Sequence, residues 1–174
     1  PQAVMLENVR GLLDSVFDEY RAKIISDLKN LGYIAEWRLL NASDFGVPQL
    51  RPRVVFVALK KNVAEYFNWP SALNSPPPTV GETLFDLMAA NGWLGAKQWR
   101  ERACDIAPTL VGGSKKHGGP DLGPTRAKKA WASIGVDGMG IADAVPEKDF
   151  VGMPSLTVRM TARLQGFPDH WPLS

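Results

Sequence analysis

One short segment carries side chains whose types and spacing fit the recognition of a planar, acceptor-rich ligand. In DFGVPQLRPRVVFVAL (44–59), an amide and two guanidinium groups occupy alternate positions, namely Gln49, Arg51 and Arg53. Alternate residues of an extended chain share one face. The pattern therefore predicts a row of hydrogen-bond donors that leads into the buried face of a strand.

A carboxyl and an amide are predicted to lie near this row. Glu7 and Asn8 follow the apolar run AVML, which is typical of a strand covered on both faces. In open α/β sheets, ligands bind outside the carboxyl ends of the strands. A carboxyl group shielded from water there can keep a proton and donate it, beside the guanidinium donors of Arg51 and Arg53. The alternative is a Glu–Arg ion pair that only joins two strands, and both interpretations stay open at this point.

The elements that must position these residues form an α/β pattern. A strand at AVMLENV is followed by a helix, by a strand at YIAEWRLLN and by a strand at RVVFVAL. Asp14 or Ser15 is predicted to cap the helix and Gly32 to end it. Pro52 has no N–H for a ladder, so the last strand is predicted to begin at Arg53. The helix is predicted from apolar residues at helical spacing: Phe17, Tyr20, Ile24, Leu28 and Leu31.

The rest of the chain has a different amino-acid composition. NWPSALNSPPPT is a proline-rich connector, and Thr79 with Glu82 predicts a capping box at the start of a short helix. Glycine, proline and charged residues dominate 91–151, which indicates a separate, irregular lobe. TVRMTARLQGF predicts a closing helix.

Composition and charge narrow the class of protein. The chain has 174 residues, 45% of them hydrophobic and 22% charged, as in a soluble globular protein. It contains no apolar run long enough to span a bilayer, no signal-peptide pattern at its start and a single cysteine, so we expect a cytoplasmic protein. The net charge is +2, but residues 97–130 hold eight lysines and arginines against three acidic residues. This basic segment is either a contact surface for a polyanion or an ordinary solvated loop.

Three segments together resemble the DNA cytosine-5 methyltransferases. LENVRGL, DFGVPQLRPRVVFVAL and LTVRMTARLQGFPDHW are similar to three motifs of that family, in the family's order and with a variable target-recognition region before the last. PPPTVGETLFDL and IAPTLVGGSKKHGG resemble further landmarks. The resemblance implies the C-terminal part of a Rossmann-like methyltransferase sheet plus a smaller, irregular, mainly β recognition lobe. It implies a catalytic part at 1–68, the DNA-binding lobe at 69–155 and a helix returning to the catalytic domain at 156–174.

The resemblance also implies a reaction at a cytosine flipped out of duplex DNA, as in restriction-modification systems. The family attacks C6 with a cysteine thiolate and transfers a methyl group from S-adenosylmethionine to C5. Glu7 matches the glutamate that bonds ring N3, and Arg53 matches the arginine near O2. Asn8, Gln49 and Arg51 match positions that brace the site. A duplex hides these base atoms, so the base must be extruded.

DNA-binding residues are expected in the lobe. Thr109 matches the family threonine that holds a phosphate near the flipped base. Base reading is expected from loop residues, because lysine and arginine pair well with guanine edges. The candidates are Ser114, Lys115, His117 and Arg126, and Lys116 is a further expected DNA contact.

Other family features are missing from these residues. The glycine-rich cofactor motif and the Pro-Cys nucleophile motif precede ENV in the family, and the closing glycine-asparagine motif follows the last segment. We therefore expect no cofactor-binding residues, no metal site and no activity from this chain alone. Cys104 follows alanine in the lobe and is expected to be an ordinary small residue, not the nucleophile. Met160 replaces the family's usual glutamate, so one local ion pair is in doubt.

Three hypotheses about the chain remain. It is a piece of a bacterial, nucleoid-associated single-chain enzyme, or the recognition subunit of a split enzyme that joins a complementary chain, or a DNA-binding module without enzymatic function. Double-stranded DNA is the expected partner in each case.

Overall fold

The computed structural model describes residues 1–113 and 119–173, which form a three-stranded sheet with one long helix and a lobe rich in helices. The strands are β1 (Ala3–Val9), β2 (Tyr33–Asn41), β3 (Pro52–Lys60), β4 (Asp137–Ala142) and β5 (Ser155–Thr157). The helices are α1 (Asp18–Asn30), α2 (Lys61–Ala64), α3 (Val80–Met88), α4 (Ala96–Arg102), α5 (Thr125–Ser133) and α6 (Val158–Leu164).

The larger sheet has the strand order β1-β3-β2. β3 runs antiparallel to both neighbours, so β1 and β2 are parallel and α1 connects them. This arrangement confirms the α/β class and the three predicted strands. β3 begins at Pro52, one residue before the predicted start at Arg53, since a proline is tolerated at the first residue of a strand.

α1 covers one face of this sheet. Ile24 and Leu28 pack against a buried cluster formed by Tyr33, Phe56 and Ala58. Residues of β1 and β3 alternate between the two faces of the sheet, and Glu7 and Arg53 lie on the face opposite α1.

The two ends of α1 differ from each other in how well the sequence predicted them. The helix begins at Asp18, later than predicted, because two short 3-10 turns precede it, and neither Asp14 nor Ser15 caps it. Gly32 has φ of +80°, a conformation that favours glycine, and it ends the helix as predicted.

The lobe is built around a helical core, and the expectation of a mainly β lobe is wrong for its described residues. Three helices, α3, α4 and α5, precede a two-stranded parallel sheet of β4 and β5. α4 and α5 each bury one tryptophan, Trp99 at 4% and Trp131 at 0% exposure, rather than a regular apolar stripe. A single large side chain per helix leaves no 3.6-residue period to detect.

α3 and α4 lie in close contact. Thr79 and Glu82 form the predicted capping box, and the hydrogen bond from the Thr79 backbone N–H holds the pKa of Glu82 below its usual value. A Cβ atom on Gly81 would lie 2.4 Å from the carbonyl oxygen of Arg100, so only glycine fits there.

α6 confirms the predicted closing helix. Met160 and Leu164 are fully buried in the same cluster as Leu84 of α3. The domain boundaries expected at residues 68 and 155 stay predictions. Within the described ranges, each helix is too short or too polar to cross a bilayer.

Candidate functional site

Glu7 and Arg53 form an ion pair between β1 and β3. The strand register places Glu7 opposite Val55 and Val9 opposite Arg53, so the two charged residues are diagonal neighbours on one face. Glu7 Oε1 and Arg53 Nε lie 2.6 Å apart. Arg53 Nη1 also donates to the carbonyl oxygen of Pro52 at 2.8 Å, which fixes the direction of the guanidinium group. An acceptor and several donors therefore lie side by side at the carboxyl end of β1.

This ion pair is open to solvent. The Glu7 side chain is 57% exposed and that of Arg53 is 23% exposed. Met5 and Val9, on the same face of β1, are 74% and 58% exposed. Glu7 is therefore only partly desolvated, because nothing among the described residues covers this face of β1. A ligand can therefore reach both members of the pair.

The predicted row of three donors is only partly formed, because β3 begins after two of them. Gln49 is completely buried, and neither Oε1 nor Nε2 has a hydrogen-bond partner among the described residues. Arg51 is half-buried, and its backbone N–H donates to Oδ1 of Asn41 at 3.0 Å. Asn8 points to the face opposite Glu7, and its Oδ1 accepts from the Val9 N–H at 2.8 Å. Of the five predicted site residues, the structure thus joins Glu7 and Arg53 directly.

The segment before β3 is bonded to the lobe. Leu50 N donates to Ala107 O at 2.8 Å, and Ala107 N donates to Pro48 O at 3.1 Å. The hydroxyl of Thr109 donates to the carbonyl oxygen of Leu50. Thr109, predicted as a phosphate contact, is therefore held at a junction three residues before Arg53. Backbone pairing between segments so far apart leaves no signal in a single sequence.

The other predicted DNA contacts fall into two groups. Ser114, Lys115, Lys116 and His117 lie outside the described residues. Arg126 is exposed but lies in the first turn of α5, so the expectation that it belongs to a loop is wrong.

One charged pair in the lobe was not predicted. Lys128 Nζ lies 2.6 Å from Oδ2 of Asp121, with side-chain exposures of 22% and 9%. The signal was present, since Asp121 is the sole acidic residue between positions 106 and 136 of a basic stretch. An isolated acidic residue among lysines and arginines is a candidate for an ion pair with one of them.

Arg163 of α6 connects α3 of the lobe to the residues that follow α6. Its Nη1 and Nη2 lie 2.5 Å from Asp86 Oδ1 and from Asp169 Oδ2, respectively, and Nη1 also donates to the Thr83 carbonyl. The Arg163 guanidinium group holds the pKa of Asp86 and of Asp169 below their usual values. Arg163 is therefore a structural residue, although its motif is one of those that carry the resemblance.

Other chemical groups are less organised. Cys104 is exposed just after α4, away from the Glu7–Arg53 pair in the sheet. In the part of the chain that the structure describes, no three His, Cys, Asp or Glu side chains lie close enough to hold a metal ion.

Comparison with protein families places these features in a known group. Residues 1–174 match the family described as C-5 cytosine-specific DNA methylase. Among curated proteins, the chain is 62% identical over 172 residues to the Type II methyltransferase M.NaeI of Lentzea aerocolonigenes, covering 97% of this chain and 41% of that protein. It is 52% identical over 174 residues to the Type II methyltransferase M.NgoMIV of Neisseria gonorrhoeae, covering 98% of this chain and 55% of that protein. The chain thus spans about half the length of these relatives.

One solved structure supports the fold. A prophage-encoded protein of E. coli, assigned as a DNA modification methyltransferase, superposes with a TM-score of 0.51. The alignment covers 97% of this chain and 60% of that protein at 22% sequence identity. The similarity confirms the Rossmann-like methyltransferase fold of the described elements.

Proposed function

Because the chain belongs to the C-5 cytosine-specific DNA methylase family, we propose that it supplies the cytosine-binding pair and the DNA-recognition lobe of a DNA cytosine-5 methyltransferase. The observation that carries the proposal is the 2.6 Å contact between Glu7 Oε1 and Arg53 Nε at the carboxyl end of β1. The two side chains offer a base edge one carboxyl group and one guanidinium group in a fixed relation.

The chemistry of cytosine fits this pair. Ring N3 and the carbonyl O2 are adjacent acceptors, so a protonated Glu7 can donate to N3 while Arg53 donates to O2. Both bonds withdraw electron density from the ring, which makes C6 more electrophilic towards a thiolate. In the free chain the exposed side of the Glu7 carboxylate is the side from which a base can approach.

Duplex DNA conceals N3 and O2 in base pairing and stacking, so the cytosine must be flipped out to reach the pair. The lobe holds the duplex during this step. Arg126 and Lys129 are exposed on α5 and suit phosphate oxygens. Thr109 joins the lobe to Leu50 beside the strand that carries Arg53, so DNA held by the lobe has a defined position relative to the pair.

The described residues do not fit S-adenosylmethionine, the methyl donor that the family uses. An adenosyl group needs an enclosing apolar wall, whereas Met5 and Val9 beside Glu7 are 74% and 58% exposed. We therefore derive no step through the cofactor. The cofactor motif, the nucleophilic cysteine and the remaining half of the enzyme belong to residues other than these 174, supplied either in one polypeptide or by a complementary chain.

The test is transfer of a labelled methyl group from S-adenosylmethionine to duplex DNA. The chain alone is expected to give no incorporation, whereas the chain combined with the missing family motifs is expected to give incorporation at cytosine C5. DNA binding by the chain alone, measured in parallel, identifies a recognition module. Methylation by the chain alone would contradict the division of labour. Failure of every combination to methylate, together with retained DNA binding, would support a non-enzymatic DNA-binding module instead.

A further inference from the structure

We propose that Asp121 and Lys128 are positioning residues for sequence-selective DNA binding, because their ion pair ties to α5 the turn at 121–123, against which residues 111–113 pack in the basic part of the lobe. The inference rests on the proposed function and names residues that set the geometry of recognition without themselves contacting DNA.

The first segment is residues 110–113 and the second is residues 119–123. Their backbones are in direct contact. A Cβ atom on Gly113 would lie 2.1 Å from the carbonyl oxygen of Gly119, 2.6 Å from the Asp121 N atom and 2.8 Å from Asp121 Oδ1. No side chain fits in that space, so the close approach of the two segments depends on glycine at position 113.

The Asp121 carboxylate is the centre of this contact. Its side chain is 9% exposed, and Oδ2 lies 2.6 Å from Lys128 Nζ. Oδ1 accepts a hydrogen bond from the Gly123 N–H at 2.9 Å. One carboxylate therefore connects the second segment to its own turn and to α5.

The same region is anchored on both sides. Leu122 is 2% exposed, and its N–H donates to the carbonyl oxygen of Gly138 in β4 at 3.1 Å. Gly123 has φ of +111°, and a Cβ atom there would lie 3.0 Å from Cβ of Val111 in the first segment and 3.3 Å from Cβ of Ala127 in α5. The turn at 121–123 is thus packed against the first segment, β4 and α5 at once.

The three cationic residues of α5 differ in their exposure and contacts, and therefore in the part they can take in DNA binding. Lys128 is 22% exposed at its side chain and is committed to Asp121, so it is a poor phosphate contact. Arg126 and Lys129 are exposed on the same helix. Charge alone does not distinguish these three residues, but their contacts do.

The experiment compares Asp121→Asn and Lys128→Met with Lys129→Met, a matched lysine one position further along α5. The probes are a duplex selected by the parent chain from a pool with a randomised centre and a duplex of random sequence. Binding is measured with both duplexes over a series of salt concentrations, and thermal unfolding is followed for each variant.

Asp121→Asn and Lys128→Met are expected to lower the ratio of selected to random binding by about tenfold or more, the scale of one lost base preference. The double variant is expected to lower this ratio no more than the more severe single variant, because both single variants break the same ion pair. Lys129→Met is expected to weaken both duplexes alike and to reduce the salt slope by about one. Asp121→Asn keeps an oxygen that can accept from the Gly123 N–H and leaves no buried carboxylate charge, so it provides a folded variant if Lys128→Met does not fold.

Equal losses on both duplexes, or a selectivity ratio within about twofold of the parent, would overturn the positioning role. A parent chain that binds duplex DNA without sequence preference would overturn it as well. A parent chain that does not bind duplex DNA at all would contradict the proposed function instead, so the two failures are distinguishable.

Discussion

Replacing Glu7 by Gln or Arg53 by Ala separates a catalytic pair from an ion pair that merely joins two strands. The side chains are 57% and 23% exposed, so the pair resembles a surface ion pair and contributes about 0.2–1 kcal/mol to stability. Under the proposed function, the proton that Glu7 donates to N3 is a general-acid contribution, and removing such a contribution slows reactions by about 10²–10⁴-fold. The lower limit corresponds to about 2.7 kcal/mol of transition-state stabilisation. Expressed as free energies, the loss of transition-state stabilisation is therefore expected to exceed the loss of folding stability several-fold.

The exposure of Glu7 changes one sequence-based expectation. A shielded Glu7 left without Arg53 would destabilise the fold strongly, because it would be an unpaired buried charge. With 57% of its side chain exposed, Glu7 stays hydrated when Arg53 is removed. We expect Arg53→Ala to lower the free energy of unfolding by less than about 1 kcal/mol.

The assay uses single-turnover methyl transfer by the complete enzyme, DNA binding and urea unfolding of the same variants. The neighbouring pair of Glu36 and Arg38 on β2 is a matched control, since its atoms lie 2.8 Å apart and its side chains are 53% and 46% exposed. Glu36→Gln with Arg38→Ala is expected to cost similar stability and to leave the methyl-transfer rate within about threefold of the parent. If Glu7→Gln transfers methyl groups as fast as this control, the N3 contact is refuted and the pair is only structural.

Three further predictions concern residues outside the three-stranded sheet. Gly81→Ala is expected to destabilise the chain by about 1–3 kcal/mol in urea unfolding through overpacking, since its Cβ would lie 2.4 Å from a backbone oxygen of α4, whereas Gly140→Ala, with nothing within 4 Å, serves as the control. Arg163→Met is expected to reduce the dependence of stability on pH below about pH 4. In the parent chain, folding lowers the pKa values of Asp86 and Asp169, the two carboxylates that pair with Arg163. Their contribution to stability is therefore present above the unfolded pKa and is lost as the pH falls through the folded pKa. Its check is urea unfolding from pH 3 to 7, and an unchanged profile would contradict it. Lys116→Ala and Arg126→Ala are expected either to weaken selected and random duplexes alike with a salt slope reduced by about one, as phosphate contacts, or to weaken the selected duplex alone by about 1–3 kcal/mol, as base readers.

The sequence predicted those elements whose signals are local. The run YIAEWRLLN predicted β2 with the bounds Tyr33–Asn41 that the structure has. Thr79 and Glu82 predicted a capping box that depends only on residues three apart. Gly32 was predicted to end α1 because a positive φ, which it has in the structure, is a local property that favours glycine.

Features that depend on distant residues were missed. The burial of Gln49 follows from its bridge to Ala107, and an alternating pattern in one segment carries no information about that partner. α5 was not predicted because its burial rests on Trp131, whose neighbours come from other parts of the lobe. The start of α5 also carries no polar cap, and a glycine- and proline-rich stretch precedes it. Arg126 was therefore placed in a loop rather than in a helix.

Under the proposed function, the exposure of the Glu7–Arg53 pair also determines which step strengthens its interaction with the base. Electrostatic interactions between Glu7, Arg53 and a base are weak in water and grow as water is excluded. A flipped cytosine placed against the carboxylate removes water from one side. Met5 and Val9 are 74% and 58% exposed on the same face, so any chain packed on them removes water from another side. The cost of Glu7→Gln should therefore increase from base binding by this chain alone to methyl transfer by the complete enzyme, because each step shields the same carboxyl group further.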